Sequence, residues 1–141
     1  MRRLLIVLGF WTSFARAARA QESEPGLTAA AEQARTAWHA HDAAGLVADS
    51  PRLQVQLPGA DPSAALGPDQ AAALIGDFLA SAQEVEIVVR AARQVEPGRG
   101  YVELQRQYRV AGTQEVRTQS LLLGYRRSRP GWSLVELRVI E

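Results

Sequence analysis

At 141 residues the chain has room for one domain whose core buries roughly two-thirds of its unfolded surface. It holds no cysteine, which excludes a disulfide framework and a lipid-modified amino terminus. Its formal charge is +1, every basic residue is arginine, and beyond the first twenty residues the arginines are scattered. That distribution argues against a polybasic nucleic-acid or membrane patch.

The opening stretch, MRRLLIVLGFWTSFARAARAQ, reads as an export signal. Arg2 and Arg3 form a basic start, Leu4 to Ala15 a short apolar run, and Ala18-Arg19-Ala20 places small residues where a signal peptidase inspects the chain. Cleavage is expected after Ala20, with Ala15-Arg16-Ala17 as the second choice. The apolar run falls short of the roughly 20 residues of a membrane span, so no stable anchor is expected. Residues 1–20 carry four of the sixteen arginines and no acid, leaving twelve arginines against fifteen acids, a net charge of −3. An exported chain, periplasmic or secreted, is the expectation.

Residues 21–26 read as a polar linker and residues 27–141 as a single domain. Leu27, Ala31, Ala34, Ala37 and Trp38 recur at helical spacing, predicting a first helix from Thr28, its N-cap, to His39 or Ala40. Both histidines follow in His39-Ala40-His41-Asp42. Residues two apart on a helix point about 200° apart, so these two histidines cannot share a metal. A metalloprotease pattern needs them four apart with a glutamate between. A histidine closing one helix and an aspartate capping the next make a corner instead.

The second, short helix runs from Asp42 as N-cap to Ala48, and Pro51 stops it. In RLQVQLPG, Leu53, Val55 and Leu57 alternate with polar residues as in a strand, closed by Pro58-Gly59. Residues 60–67 read as a loop. Pro68 opens a third helix whose apolar side is Ala72, Leu74, Ile75, Phe78 and Leu79. From Val85 the period becomes two: VEIVVRAARQV, GYVELQRQYRV, EVRTQSLLLGYRR and GWSLVELRVIE read as four strands. Pro97-Gly98, Ala111-Gly112 and Pro130-Gly131 separate them at hairpin length, which predicts antiparallel neighbours. Helices first and strands afterwards make an α+β fold.

The run AWHAHDAAGLVADSPRLQVQLPG resembles the opening of the nuclear transport factor 2-like, or SnoaL-like, superfamily. Gly67 through Phe78 is similar to its third helix, and GWSLVELRVIE to its last strand. The wording LPG, DFL and LRVIE looks most like uncharacterised small secreted bacterial members. The resemblance implies N-terminal helices packed in a curved antiparallel sheet, a half-open, cystatin-like cone with one pocket between sheet and helices.

Members of that superfamily include isomerases, dehydratases, epoxide hydrolases and cyclases as well as domains that only bind or assemble, so the lining residues must decide. Ketosteroid isomerase needs a general-base aspartate and two oxyanion donors, a tyrosine and a protonated aspartic acid. Aligned on Asp42, on Val55 to Gly59 and on Tyr125, those positions fall at Leu57, Ala34 and Leu121. All three are apolar, and a missing base alone removes about 10²–10⁴ in rate. No catalytic residue, cofactor or metal is assigned.

The period-two rule puts Val102, Leu104, Arg106, Tyr108 and Val110 on one face, and Leu134, Glu136, Arg138 and Ile140 on one face of the last strand; the resemblance implies that the first of these points inward. Arg106, Glu136 and Arg138 then converge in an apolar cavity, and the pocket candidates are Trp38, Leu57, Leu104, Arg106, Tyr108, Leu121 and Glu136. Two readings of Arg106 and Glu136 stand open: a ligand-orienting pair, or an internal ion pair or bulge with no ligand. The outer face carries Gln105, Gln107, Arg109, Arg117 and Gln119, through which a homodimer is a further expectation. The leading expectation is a non-catalytic domain that binds a small apolar ligand or a protein partner, without nucleic acid. The rivals are a lyase, isomerase or hydrolase using Glu136, Arg106 and Tyr108, and a purely structural homodimer with a filled cone.

Overall fold

The structure, a computed structural model, describes residues 25–129 and 131–141; the expected export segment lies outside the described residues. Three helices precede most of the sheet: α1 (Pro25–His39), α2 (Ala43–Val47) and α3 (Pro68–Leu79). The strands are β1 (Gln54–Gln56), β2 (Ala82–Glu96), β3 (Arg99–Val110), β4 (Val116–Ser128) and β5 (Gly131–Ile140). Helix α1 begins at Pro25, three residues before the expected cap at Thr28. A proline at a first helical position forfeits no hydrogen bond and its ring fixes a helical φ, so the helix takes up part of the expected linker.

The histidine segment is the corner that its spacing predicts. His41 N–H donates to Trp38 O at 2.9 Å and Asp42 N–H to Ala37 O at 2.8 Å, closing α1. His41 itself adopts φ 55°, the left-handed turn that ends many helices. The Asp42 carboxylate then accepts from Gly45 N–H at 2.9 Å and caps α2.

The five strands form one curved, unclosed sheet in the order β1-β5-β4-β3-β2. The hairpin-linked strands pair antiparallel, while β1 joins β5 in parallel, Gln54 opposite Glu136 and Gln56 opposite Arg138. Strand β1 is shorter than its alternation suggested because Leu53 bridges to Leu66 in the following loop. Register slips interrupt β2 between Glu84 and Glu86, between Val89 and Ala91, and between Gln94 and Glu96. One more falls in β5, where Glu136 faces Gly124 and Leu134 faces Tyr125, leaving Val135 as the extra residue.

One core lies between the helices and the concave face, built from Leu27, Ala31, Ala34 and Trp38 of α1, Ile75 and Leu79 of α3, and Leu104, Leu121, Leu123 and Leu137 of the sheet. Helix α3 buries Ala71, Ile75 and Leu79, and leaves Leu74 exposed, a narrower stripe than its composition implied. Helix α1 packs across β2 and β3, with Leu27 over Gly100 and the Trp38 ring beside Arg106. Eleven helical residues span about 16 Å and six strand residues about 20 Å, so the two contacts hold opposite ends of the helix against the sheet. No helix among the described residues is long and apolar enough to cross a membrane.

The Leu27 contact requires a glycine. A Cβ on Gly100 would lie 2.8 Å from Leu27 Cδ1 and 2.9 Å from Cδ2, and Leu27 is wholly buried. Gly100→Ala is expected to lower the unfolding free energy by about 1–3 kcal/mol. A urea titration giving an unchanged midpoint would show that α1 is free to lift at this end.

Candidate functional site

The concave face carries an ionic cluster that β2, β3 and β4 assemble. Arg106 of β3 is 0% exposed. Its Nε donates to Glu84 Oε2 at 3.1 Å, its Nη2 pairs with Glu84 Oε1, and its Nη1 donates to Gln119 Oε1 at 3.2 Å. The Glu84 side chain is 2% exposed. Aromatic rings close round the guanidinium, with centroids at 4.1 Å for Tyr108, 5.2 Å for Trp38 and 5.7 Å for Phe78. Cation–π attraction is strongest where water is excluded, so the rings reinforce the carboxylate in holding this charge. Outside them sits His41, 30% exposed, with Nε2 3.3 Å from Glu84 Oε1. Using Trp38 as a wall leaves its Nε1 buried with no hydrogen-bond partner.

The acid facing Arg106 is therefore Glu84, and the expected convergence with Glu136 and Arg138 is corrected. Each strand shows the same cause. The extra residue Val135 reverses the alternation of β5, so Leu134, Leu137 and Val139 turn inward. Glu136 packs instead over Gly124, and Arg138 Nε donates to Gln56 Oε1 at 3.2 Å, with Arg138 exposed. In β2 the slip after Glu84 leaves Val85 exposed while Glu84 and Ile87 both face the core. Gln119, expected on the outer face, lies opposite Arg106 and points in with it.

The other candidates spread through the fold. Leu104 and Leu121 face each other in the core beneath the helices, and Tyr108 is buried against Arg106. Leu57 is half-buried at a separate surface groove with Pro58 and Val139. Ala34 lines a hollow of about 30 Å³ between α1, α2 and the β4–β5 hairpin, which Tyr125 and Ser50 also line. The three positions aligned with isomerase catalytic groups thus do not surround one cavity. Period-two alternation starts this strand only at Val85 and so misses Glu84, which lies within β2. Nothing in the sequence marks the hollow, because Gln33, Ser50 and Tyr125 are far apart in the chain and ordinary in type.

Burial raises the Tyr125 hydroxyl far above the ordinary phenol value of 10.0, and burial, followed by the Glu103 charge, raises Tyr101 as well.

Two outcomes follow from this geometry. Glu84→Ala strands a buried guanidinium and is expected to cost about 3–5 kcal/mol in urea unfolding. Adding Arg106→Met should recover part of that loss, whereas strictly additive losses would mean that the pair is not coupled. The second outcome concerns alkaline pH, where the chain has no lysine to titrate beside Tyr101 and Tyr125. A raised native pKa means that the unfolded chain releases the phenol proton first. Stability is then whole below about pH 10 and falls above it by up to about 1.4 kcal/mol per pH unit for one such group. Chemical denaturation at stepped pH should show this slope, with Tyr125→Phe removing most of it.

No protein-family model matches the sequence, and no curated protein is significantly similar to it. Solved structures do match. A ketosteroid isomerase-like protein from Erwinia carotovora atroseptica SCRI1043 superposes with TM-score 0.66 at 18% identity, over 82% of this chain and 92% of that one. A domain of unknown function with a cystatin-like fold from Nostoc punctiforme PCC 73102 gives 0.62 at 17% identity, over 92% and 78% of the two chains. A designed NTF2 protein with a long sheet gives 0.63 at 17% identity, over 80% and 98%. Likeness at such identities is likeness of fold. The chain has the nuclear transport factor 2-like fold, an open curved sheet wrapped round its helices.

Proposed function

We propose that this chain is an exported, non-catalytic binding domain that holds a small molecule at the hollow between α1, α2 and the β4–β5 hairpin. The observation that carries the reading is the state of Arg106: fully buried and bonded through Nε and Nη2 to one carboxylate, it has no charge to offer a substrate. The positions aligned with isomerase acids, Ala34, Leu57 and Leu121, add support, because without a base or oxyanion donors the family's proton chemistry has no agent. Glu136, the acid of the catalytic alternative, lies on the far side of the sheet from Arg106. Export rests on the basic and apolar pattern of residues 1–20.

Native mass spectrometry of the protein purified from its own source tests the reading. The expected result is a small-molecule adduct that dissociates on activation and is recovered chemically unaltered after prolonged incubation. Conversion of the recovered compound, or a chain that carries no small molecule under any condition, would overturn it.

A further inference from the structure

Four polar side chains with no hydrogen-bond partner among the described residues meet at the hollow. Tyr125 of β4 and Ser50, just beyond α2, are 6% and 3% exposed, Gln33 projects from α1, and Asp49 stands beside Ser50. Neither buried hydroxyl is sealed from open space, and the hollow is the space that both line. Its volume of about 30 Å³ suits one water molecule or one hydroxyl group of a ligand. Ala30, Gln33, Asp49 and Trp132 border both the hollow and a groove of about 400 Å³ leading from it. That size falls within the roughly 300–1,000 Å³ of small-molecule sites.

The chemistry of the lining selects the ligand. Tyr125 remains a phenol and Ser50 a hydroxyl, so each both donates and accepts; Gln33 does the same through its amide, while Asp49 only accepts. Such a set complements alcohol groups, which themselves donate and accept. An anion is disfavoured, because Asp49 borders both spaces, Arg129 lines the outer groove alone, and the Arg127 guanidinium is stacked on the Trp132 ring. Leu134 adds an apolar wall, and the Trp132 ring, covered on one side by the Arg127 guanidinium at 4.7 Å from its centroid, offers its other side to the C–H face of a ring.

We infer that the hollow and groove together bind a neutral hydroxylated ring of the sugar class, one hydroxyl entering between Tyr125 and Ser50 and the ring lying against Trp132. The inference rests on the binding-domain reading and adds the class of ligand to it.

Proton–nitrogen correlation spectra of the labelled protein, titrated separately with D-glucose, N-acetyl-D-glucosamine, myo-inositol and D-glucuronate, test it. At least one neutral compound should shift the Gln33 side-chain amide, the Ser50 amide and the Trp132 indole, saturably and more tightly than glucuronate. Tyr125→Phe, which removes a hydroxyl without a protein partner and so retains the fold, should weaken that binding about 5–10-fold. Ser50→Ala serves as the second variant, with a loss of the same order. Shifts elsewhere in the sheet, tighter binding of glucuronate, unchanged affinity in both variants, or no response to any neutral compound would each overturn the inference. Indole, titrated alongside, separates the two proposals. If indole perturbs these signals and the sugars do not, the ligand class fails while a binding hollow stands. A failure of the binding-domain reading itself appears in the mass spectrum, as a chain with no adduct.

Discussion

Arg106 brings a full positive charge to a place that water does not reach, and the surrounding elements are arranged to keep it there. Strand β2 supplies the countercharge, β4 an amide oxygen, α1 and α3 an aromatic ring each, and the α1–α2 corner a histidine at the rim. A buried ion pair adds little net stability over well-packed apolar side chains of the same volume, but breaking one is expensive. Its effect here is on arrangement. Sliding β2 by one residue against β3 would turn Glu84 outward and leave the guanidinium unmatched, so the pair penalises false registers that leucines would tolerate.

The same register argument shows how much of this molecule was legible in its amino acids. Helix periodicity, the Asp42 cap, Pro68 at the start of α3 and the alternating stretches predict every element among the described residues and the α+β class. Alternation puts Arg106 on one face with Val102, Leu104 and Tyr108, and the family resemblance implies that this face is the inner one, where Arg106 lies. Its partner is misplaced, because a period-two rule carries an assumption of unbroken strands. A bulge inserts one residue and inverts every assignment beyond it. One bulge sends Glu136 out and another lets Glu84 in. A trace of the first was visible: Leu134, Leu137 and Val139 are large and apolar with Glu136 and Arg138 between them, a spacing of three and then two. The second had no such trace, since Glu84 and Glu86 sit in a segment where either acid was an acceptable inward residue. The hollow depends on Gln33, Ser50 and Tyr125, which are far apart in sequence and ordinary in type, and only the folded chain brings them together.

Within a fold shared by a ketosteroid isomerase-like protein and domains of unknown function, the placement of polar groups distinguishes one member from another. In this chain the strongest charge is enclosed and matched, while weaker, neutral hydrogen-bonding groups border open space. Enclosed charge favours a rigid interior, while hydroxyls without a protein partner leave hydrogen-bonding capacity at the surface of the hollow.

Strand β2 forms one border of the sheet over fifteen residues, with Val85 and Val95 exposed along it. So long a free margin is a ready template for stray polypeptide, and native proteins blunt such margins with irregularity and charge. The three slips break its rhythm into short runs, and Glu86, Arg90, Arg93 and Glu96 stand exposed among them. A passing strand would find no more than a few consecutive amides in phase before meeting a kink or an ion. The irregularity that admits Glu84 to the interior thus belongs to a set that also disfavours the addition of a further strand along this margin.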